Sequence, residues 1–191
     1  GALGGVGVDR VVVRGADSLA ETVAAANAKL AAGEEPPEIE VALDLETAEW
    51  LLANPIKVEA LKHADRLIAH LPNFEYMSQT RDNGIEPAHL ERLGAAGIRL
   101  MNVTACLGGT TAEPGKHFEL SRKMLDAKGN MKVSPYVQRY VLGEYYKKSV
   151  RCQGCALVSA CKGMHIQFLR AHGFASLKPI APEPQAELAS A

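Results

Sequence analysis

The chain reads as an α/β protein: a partial (β/α) barrel of about four βα units, followed by a loop-rich, mainly helical segment. Three observations predict this. Short β-branched runs begin near positions 8, 38, 66 and 98, a repeat of roughly 30 residues that matches one strand, one helix and their loops. Stretches with apolar residues at helical spacing lie between them. Beyond residue 103 the alternation stops, and three of the four cysteines crowd into positions 152–161.

Each element has a local reason. Residues 8–14 (VDRVVVR) form a β-branched run closed by Gly15, and Ser18 with Glu21 has capping-box spacing for a helix over 19–32 that ends at Gly33. Pro36 and Pro37 turn the chain into a second strand over 38–45 (EIEVALDL). A helix over 46–53 is interrupted at Pro55 and resumes over 58–64. The third strand is 66–71 (RLIAHL), then a polar loop over 73–83, a helix over 87–96 closed by Gly97, and a fourth strand over 98–103 (IRLMNV). The same repeat also suits half of a doubly wound sheet.

A boundary near 107 divides a barrel half, 1–107, from a second segment, 108–180. In the latter, 104–115 reads as a long loop, 118–125 as a short helix, 131–134 (MKVS) as a strand, 136–146 as a helix and 164–171 as a helix stopped by Gly173. Residues 181–191 (APEPQAELASA) have the composition of a disordered tail.

Composition excludes several classes. With 47% hydrophobic and 23% charged residues the chain is ordinary globular material. A net charge of -1, with Lys and Arg scattered, gives no footprint for nucleic acid. No apolar run reaches the roughly 18 residues that span a bilayer, and the first residues lack the basic region of a secretion signal. The expectation is a cytoplasmic protein without a membrane partner. Its beginning at Gly1, without Met and within a glycine-rich stretch, suggests a fragment.

The cysteines point to a metal centre. Cys152-x2-Cys155-x5-Cys161-Lys162-Gly163 and the more distant Cys106 use every thiol in the chain. Short spacers bend the backbone so that successive sulfurs point inward, and Gly154 and Gly163 supply the freedom such bends need. Four thiolates suit either one tetrahedral zinc ion or a [4Fe-4S] cluster. Structural zinc sites usually show two close pairs, whereas this chain has three plus one, with Cys106 standing 46 residues before Cys152 at the end of a predicted strand. That end of a (β/α) sheet is where ligand sites are built. Buried thiols without metal are the plain alternative.

These residues resemble a known family. The run from Cys152 to Gly163, followed by His172-Gly173-Phe174 and Leu177-Lys178-Pro179-Ile180, looks like the C-terminal auxiliary-cluster region of radical S-adenosylmethionine (radical SAM) enzymes. Met101-Asn102-Val103-Thr104-Ala105-Cys106 resembles the cysteine that some members carry after the last barrel strand. The resemblance covers 98–180 and is faint over 8–97. It implies an iron-sulfur protein of the TIM-barrel-like kind, with Cys106, Cys152, Cys155 and Cys161 as [4Fe-4S] ligands and S-adenosyl-L-methionine as a further cofactor. The family's C-x3-C-x2-C loop is not formed by these four cysteines, so the chain alone is not expected to start radical chemistry. The implied partners are the missing N-terminal half or a complementing subunit, and a substrate that is a peptide or a small molecule. The alternative is a zinc-stapled α/β interaction module without catalysis.

Polar residues at the strand ends are Arg14, Asp44, His70, Asn73 and Asn102, candidates for contacting S-adenosyl-L-methionine or substrate. Ordinary caps compete with that reading, and Asp44-Leu45-Glu46-Thr47 has the form of a helix start. Gly4-Gly5-Val6-Gly7 precedes a strand instead of opening a helix, and Gly108-Gly109-Thr110-Thr111 lacks the lysine of a phosphate loop. His165 and His172 could replace a sulfur, although packing is the commoner fate. Trp50, Tyr136, Tyr140, Tyr145 and Tyr146 read as core.

Overall fold

The computed structural model describes residues 10–109 and 121–182. The glycine-rich entry at Gly4–Gly7, the stretch 110–120 within the expected loop and helix, and the tail after 182 lie outside the described residues.

Strands β1 (Arg10–Val13), β2 (Glu38–Ala42), β3 (Leu67–His70) and β4 (Arg99–Met101) form one parallel sheet in consecutive order. Helices α1 (Ala16–Ala31), α2 (Leu45–Ala53), α3 (Pro55–His63), α4 (Met77–Asp82) and α5 (Pro87–Ala95) fill the connections. The protein is therefore a mixed α/β structure with a four-stranded parallel sheet and, among the described residues, seven helices. Alternation along the strands gives the sheet two unlike faces. Val13, Ile39, Val41, Leu67, Ala69 and Leu100 join helix residues Leu19, Val23, Leu51, Leu61, Leu90 and Leu93 in the core. The opposite face carries Arg10, Val12, Glu38, Glu40, Ala42, Ile68, His70, Arg99 and Met101.

After residue 121 the chain forms α6 (Val133–Gly143), then β5 (Tyr146–Lys147) paired antiparallel with β6 (Met164–His165), then α7 (Ile166–His172). Met164, Phe168, Leu169 and Leu177 are buried in the same core as the sheet, and α7 packs against α4. The second segment is thus fused to the α/β layer across the boundary expected near 107.

Several local expectations are corrected. α1 starts at Ala16, before the Ser18 signal, because Gly15 (φ 79°) turns the chain straight off β1 and its carbonyl accepts from Leu19 N–H. β2 stops at Ala42 because Asp44 caps α2, its side chain accepting from Thr47 N–H at 2.8 Å. The polar loop at 73–83 contains α4, held by a distant partner: Gln167 Nε2 donates to the Glu75 carbonyl at 2.6 Å. The described part of the expected 118–125 helix is a 3-10 turn at Arg122–Met124 with Met124 buried. The expected 131–134 strand reduces to one bridge, Leu125 to Met131, because the Asp126 carboxylate accepts from the Lys128 and Asn130 N–H groups and closes a tight turn.

α6 begins at Val133, with Pro135 accommodated in its first turn. It buries no residue fully, so its tyrosines are not core: Tyr140 is 39% exposed. Tyr146 lies beyond the helix, on β5. Trp50 does pack against the core.

Glycine at 94 is required by a close approach. A Cβ there would lie 2.5 Å from Gly108 Cα and 2.7 Å from its carbonyl oxygen. Replacing a helical glycine by alanine ordinarily stabilises by about 1 kcal/mol. Gly94→Ala is expected to lower the melting temperature instead, while Gly143→Ala, whose Cβ would meet nothing closer than 3.5 Å, leaves it unchanged or raises it. A stabilised Gly94→Ala protein would contradict this packing.

Candidate metal centre

Cys106 follows β4 in a 3-10 turn, Ala105–Leu107. Leu107 is completely buried, and Gly108 (φ 86°) lets the backbone lie against Leu90 and Gly94 of α5. The Gly108-Gly109 pair therefore serves close packing of this turn onto the helix. Thr104 Oγ1 lies 3.2 Å from Cys106 Sγ, within hydrogen-bonding reach of sulfur.

The other three cysteines lie on a succession of tight turns. Ser149 caps a 3-10 run, Val150–Gly154, that contains Cys152. Cys155 N–H donates to the Cys152 carbonyl at 3.1 Å, Val158 N–H to Cys155 at 3.0 Å, and Cys161 N–H to Leu157 at 2.8 Å. Cys161 Sγ accepts from Gly163 N–H at 3.2 Å. At Gly163 (φ 91°) a Cβ would sit 2.2 Å from the Lys147 carbonyl oxygen, so the chain can cross β5 there only as glycine. Ala156 N–H donates to the Ile180 carbonyl at 2.9 Å, which holds the 178–180 segment beside the cysteine run.

These turns bring Cys106, Cys152, Cys155 and Cys161 to the lining of one small cleft that is partly open to solvent. Leu157, Val158, Leu177, Pro179 and Ile180 supply apolar lining, and Lys148 is its charged member. All four thiols are free and partly exposed, and Cys106 and Cys152 also pack against the hydrophobic core. Among the described residues, no three His, Cys, Asp or Glu side chains form a group that could hold a metal ion. His165 and His172 are not among the lining residues. His165 Nε2 is 2.6 Å from the Val141 carbonyl oxygen, and His172 packs on Phe168 with ring centroids 4.4 Å apart.

The strand-end candidates take separate places. Arg14 is exposed after β1. Asp44 is the α2 cap. Asn73 Nδ2 donates to the Leu142 carbonyl at 2.7 Å and to Tyr146 Oη at 2.8 Å, tying the α/β layer to α6 and β5. His70 and Asn102 do meet, Asn102 Nδ2 lying 2.6 Å from His70 Nε2. None of the five lines the cysteine cleft.

Sequence reasoning missed Thr104, Lys148 and Glu40. A signal existed for Glu40: buried parallel strands usually read as continuous apolar runs, yet EIEVA alternates, which puts Glu38 and Glu40 on one face. No known protein family, curated protein or solved structure matches this chain.

Burial pulls the pKa of His70, His165 and His172 below that of a free imidazole, opposed by the Glu40 charge at His70, by the Val141 carbonyl at His165 and by Glu86 at His172. Nearby Arg81 lowers His172 further. When the folded-state pKa is depressed, the unfolded chain binds the proton first. The stability contribution is then complete above about pH 6.5 and is lost as the pH falls through the folded values. Melting temperature is expected to drop between about pH 7.5 and about pH 5. His165→Gln, which keeps an amide donor for Val141, should flatten that slope; equal slopes in the two proteins would remove His165 from the account.

Proposed function

We propose that this chain is an iron-sulfur segment of a radical SAM enzyme that holds an auxiliary [4Fe-4S] cluster through Cys106, Cys152, Cys155 and Cys161. The observation that carries the reading is that all four cysteines line one cleft, although Cys106 stands 46 residues before Cys152, the first of the other three. The chemistry of the donor set supports the reading. The donor set is all thiol, the surroundings are largely apolar, and two sulfurs have hydrogen-bond partners in Thr104 and Gly163. Such bonds orient ligand sulfurs and tune a centre's reduction potential.

Zinc would need the four sulfurs about 3.8 Å apart, the edge of a tetrahedron with Zn–S distances of about 2.3 Å. Three cysteines in one run with a distant fourth depart from the two close pairs usual in structural zinc sites, which favours a multi-iron group. Held by all four cysteines, such a cluster would have no open iron and would serve to pass an electron; loss of Cys106 would open one iron to a substrate ligand.

The strand order supports the barrel part of the proposal. Four parallel strands in consecutive order without a reversal, with helices on one face, are compatible with one half of a (β/α) barrel. S-adenosyl-L-methionine would require residues beyond the four cysteines assigned here.

Anaerobic reconstitution with iron and sulfide tests the proposal. The expected product is brown, with broad visible absorption and about four irons per chain. Cys155→Ser should lose most of the iron, while Cys106→Ser retains a cluster with altered spectra. A colourless protein that takes up one zinc ion and no iron would overturn the cluster in favour of a zinc staple.

A further inference from the structure

A second constellation stands outside the cysteine cleft, on the face of the sheet turned away from the core. Glu40 comes from β2, His70 is the last residue of β3, and Asn102 is the first residue after β4. Three adjacent parallel strands therefore deliver a carboxylate, an imidazole and an amide to one place. Glu40 Oε1 lies 3.6 Å from His70 Nδ1, and Asn102 Nδ2 lies 2.6 Å from His70 Nε2.

An amide nitrogen donates and does not accept, so this arrangement makes Nε2 the acceptor and leaves the ring proton on Nδ1, toward Glu40. The same Asn102 Nδ2 also donates to the Leu71 carbonyl at 3.2 Å. Asn102 reaches this position with φ 61°, a left-handed conformation uncommon outside glycine. Backbone of this kind clusters at ligand sites.

The surrounding charges are matched. Arg10 pairs with Glu38 at 2.7 Å and Glu40 at 3.0 Å, and Arg99 pairs with Asp65 at 2.8 Å and reaches Glu38 at 3.9 Å. Neither guanidinium lacks a carboxylate, which argues against a site for a polyanion. What the face offers is an imidazole side chain 32% exposed, with a carboxylate 3.6 Å from its Nδ1 and its lone pair covered by one amide.

We propose that Glu40, His70 and Asn102 form a proton-accepting site for a small polar molecule that brings a hydroxyl to His70 Nε2. The hydroxyl takes the place of the Asn102 amide N–H. Its O–H bond breaks, an N–H bond forms at Nε2, and the electron pair stays on oxygen. The imidazolium so formed faces Glu40, which keeps its carboxylate charge and acts as a positioning residue. The Asn102 amide retains one N–H for Leu71 and offers the other to the oxyanion. The site does not depend on the cysteine cleft being filled.

Two measurements on the full chain test it. Imidazole ¹⁵N NMR reads the tautomer and titration of His70. Diethyl pyrocarbonate, which acylates neutral accessible imidazoles, reads the lone pair, with the exposed His63 as an internal reference in peptide mass mapping. The expected results are an Nδ1–H tautomer, a His70 titration midpoint that falls in Glu40→Gln, and His70 acylation several-fold faster in Asn102→Ala than in the parent when scaled to His63. Asn102→Gly, which keeps the left-handed backbone, serves the same purpose should the alanine variant not fold. An Nε2–H tautomer, a midpoint unmoved by Glu40→Gln, or unchanged acylation in the Asn102 variants would overturn the proposal, whatever the metal content of the cleft.

Discussion

Burial of Met164, Phe168, Leu169 and Leu177 in the core of the parallel sheet is the constraint on which the rest of the structure depends. Fully burying side chains of this kind contributes about 1.5–3 kcal/mol each. These four flank the cysteine run on its C-terminal side, so their burial sets where Cys152, Cys155 and Cys161 can lie. The turn that carries Cys106 is set independently, by the contact of Gly108 with Gly94 and by buried Leu107. The cleft exists where these two placements meet.

Polar contacts refine that junction. Asn73 satisfies the Leu142 carbonyl, and His165 lies at hydrogen-bonding distance from the Val141 carbonyl, both at the end of α6 where the helix leaves carbonyl groups without intrahelical donors. Gln167 reaches the Glu75 carbonyl just before α4. Each of these side chains comes from an element far away in the chain. Truncating one would leave a partly buried acceptor without its partner, at a cost of up to about 1 kcal/mol. The second segment is held by apolar burial and oriented by these contacts.

The sheet separates two chemistries. Its apolar face anchors the helices and, through α7, the thiol cleft, while its polar face carries the Glu40, His70 and Asn102 chain. Both lie toward the C-terminal side of the strands, because parallel strands present all their following loops at the same end. That shared direction explains how Cys106 and Asn102, four residues apart on the loop after β4, serve separate groupings.

The four strands, four of the five helices between them, and the three-plus-one grouping of thiols were legible in the residues themselves, because period-2 and helical patterns and cysteine spacing are local. Asp44 as a helix cap was legible for the same reason. The sequence could not show α4, which depends on Gln167 and α7, or the collapse of the expected 131–134 strand into a turn closed by Asp126. It could not pair His70 with Glu40, since a strand pattern names faces but not the neighbours across a register. Spacing alone placed the cysteines in reach of a common centre. Their arrival at one apolar cleft was decided by tertiary packing, through close approaches that glycine permits at residues 94, 108 and 163.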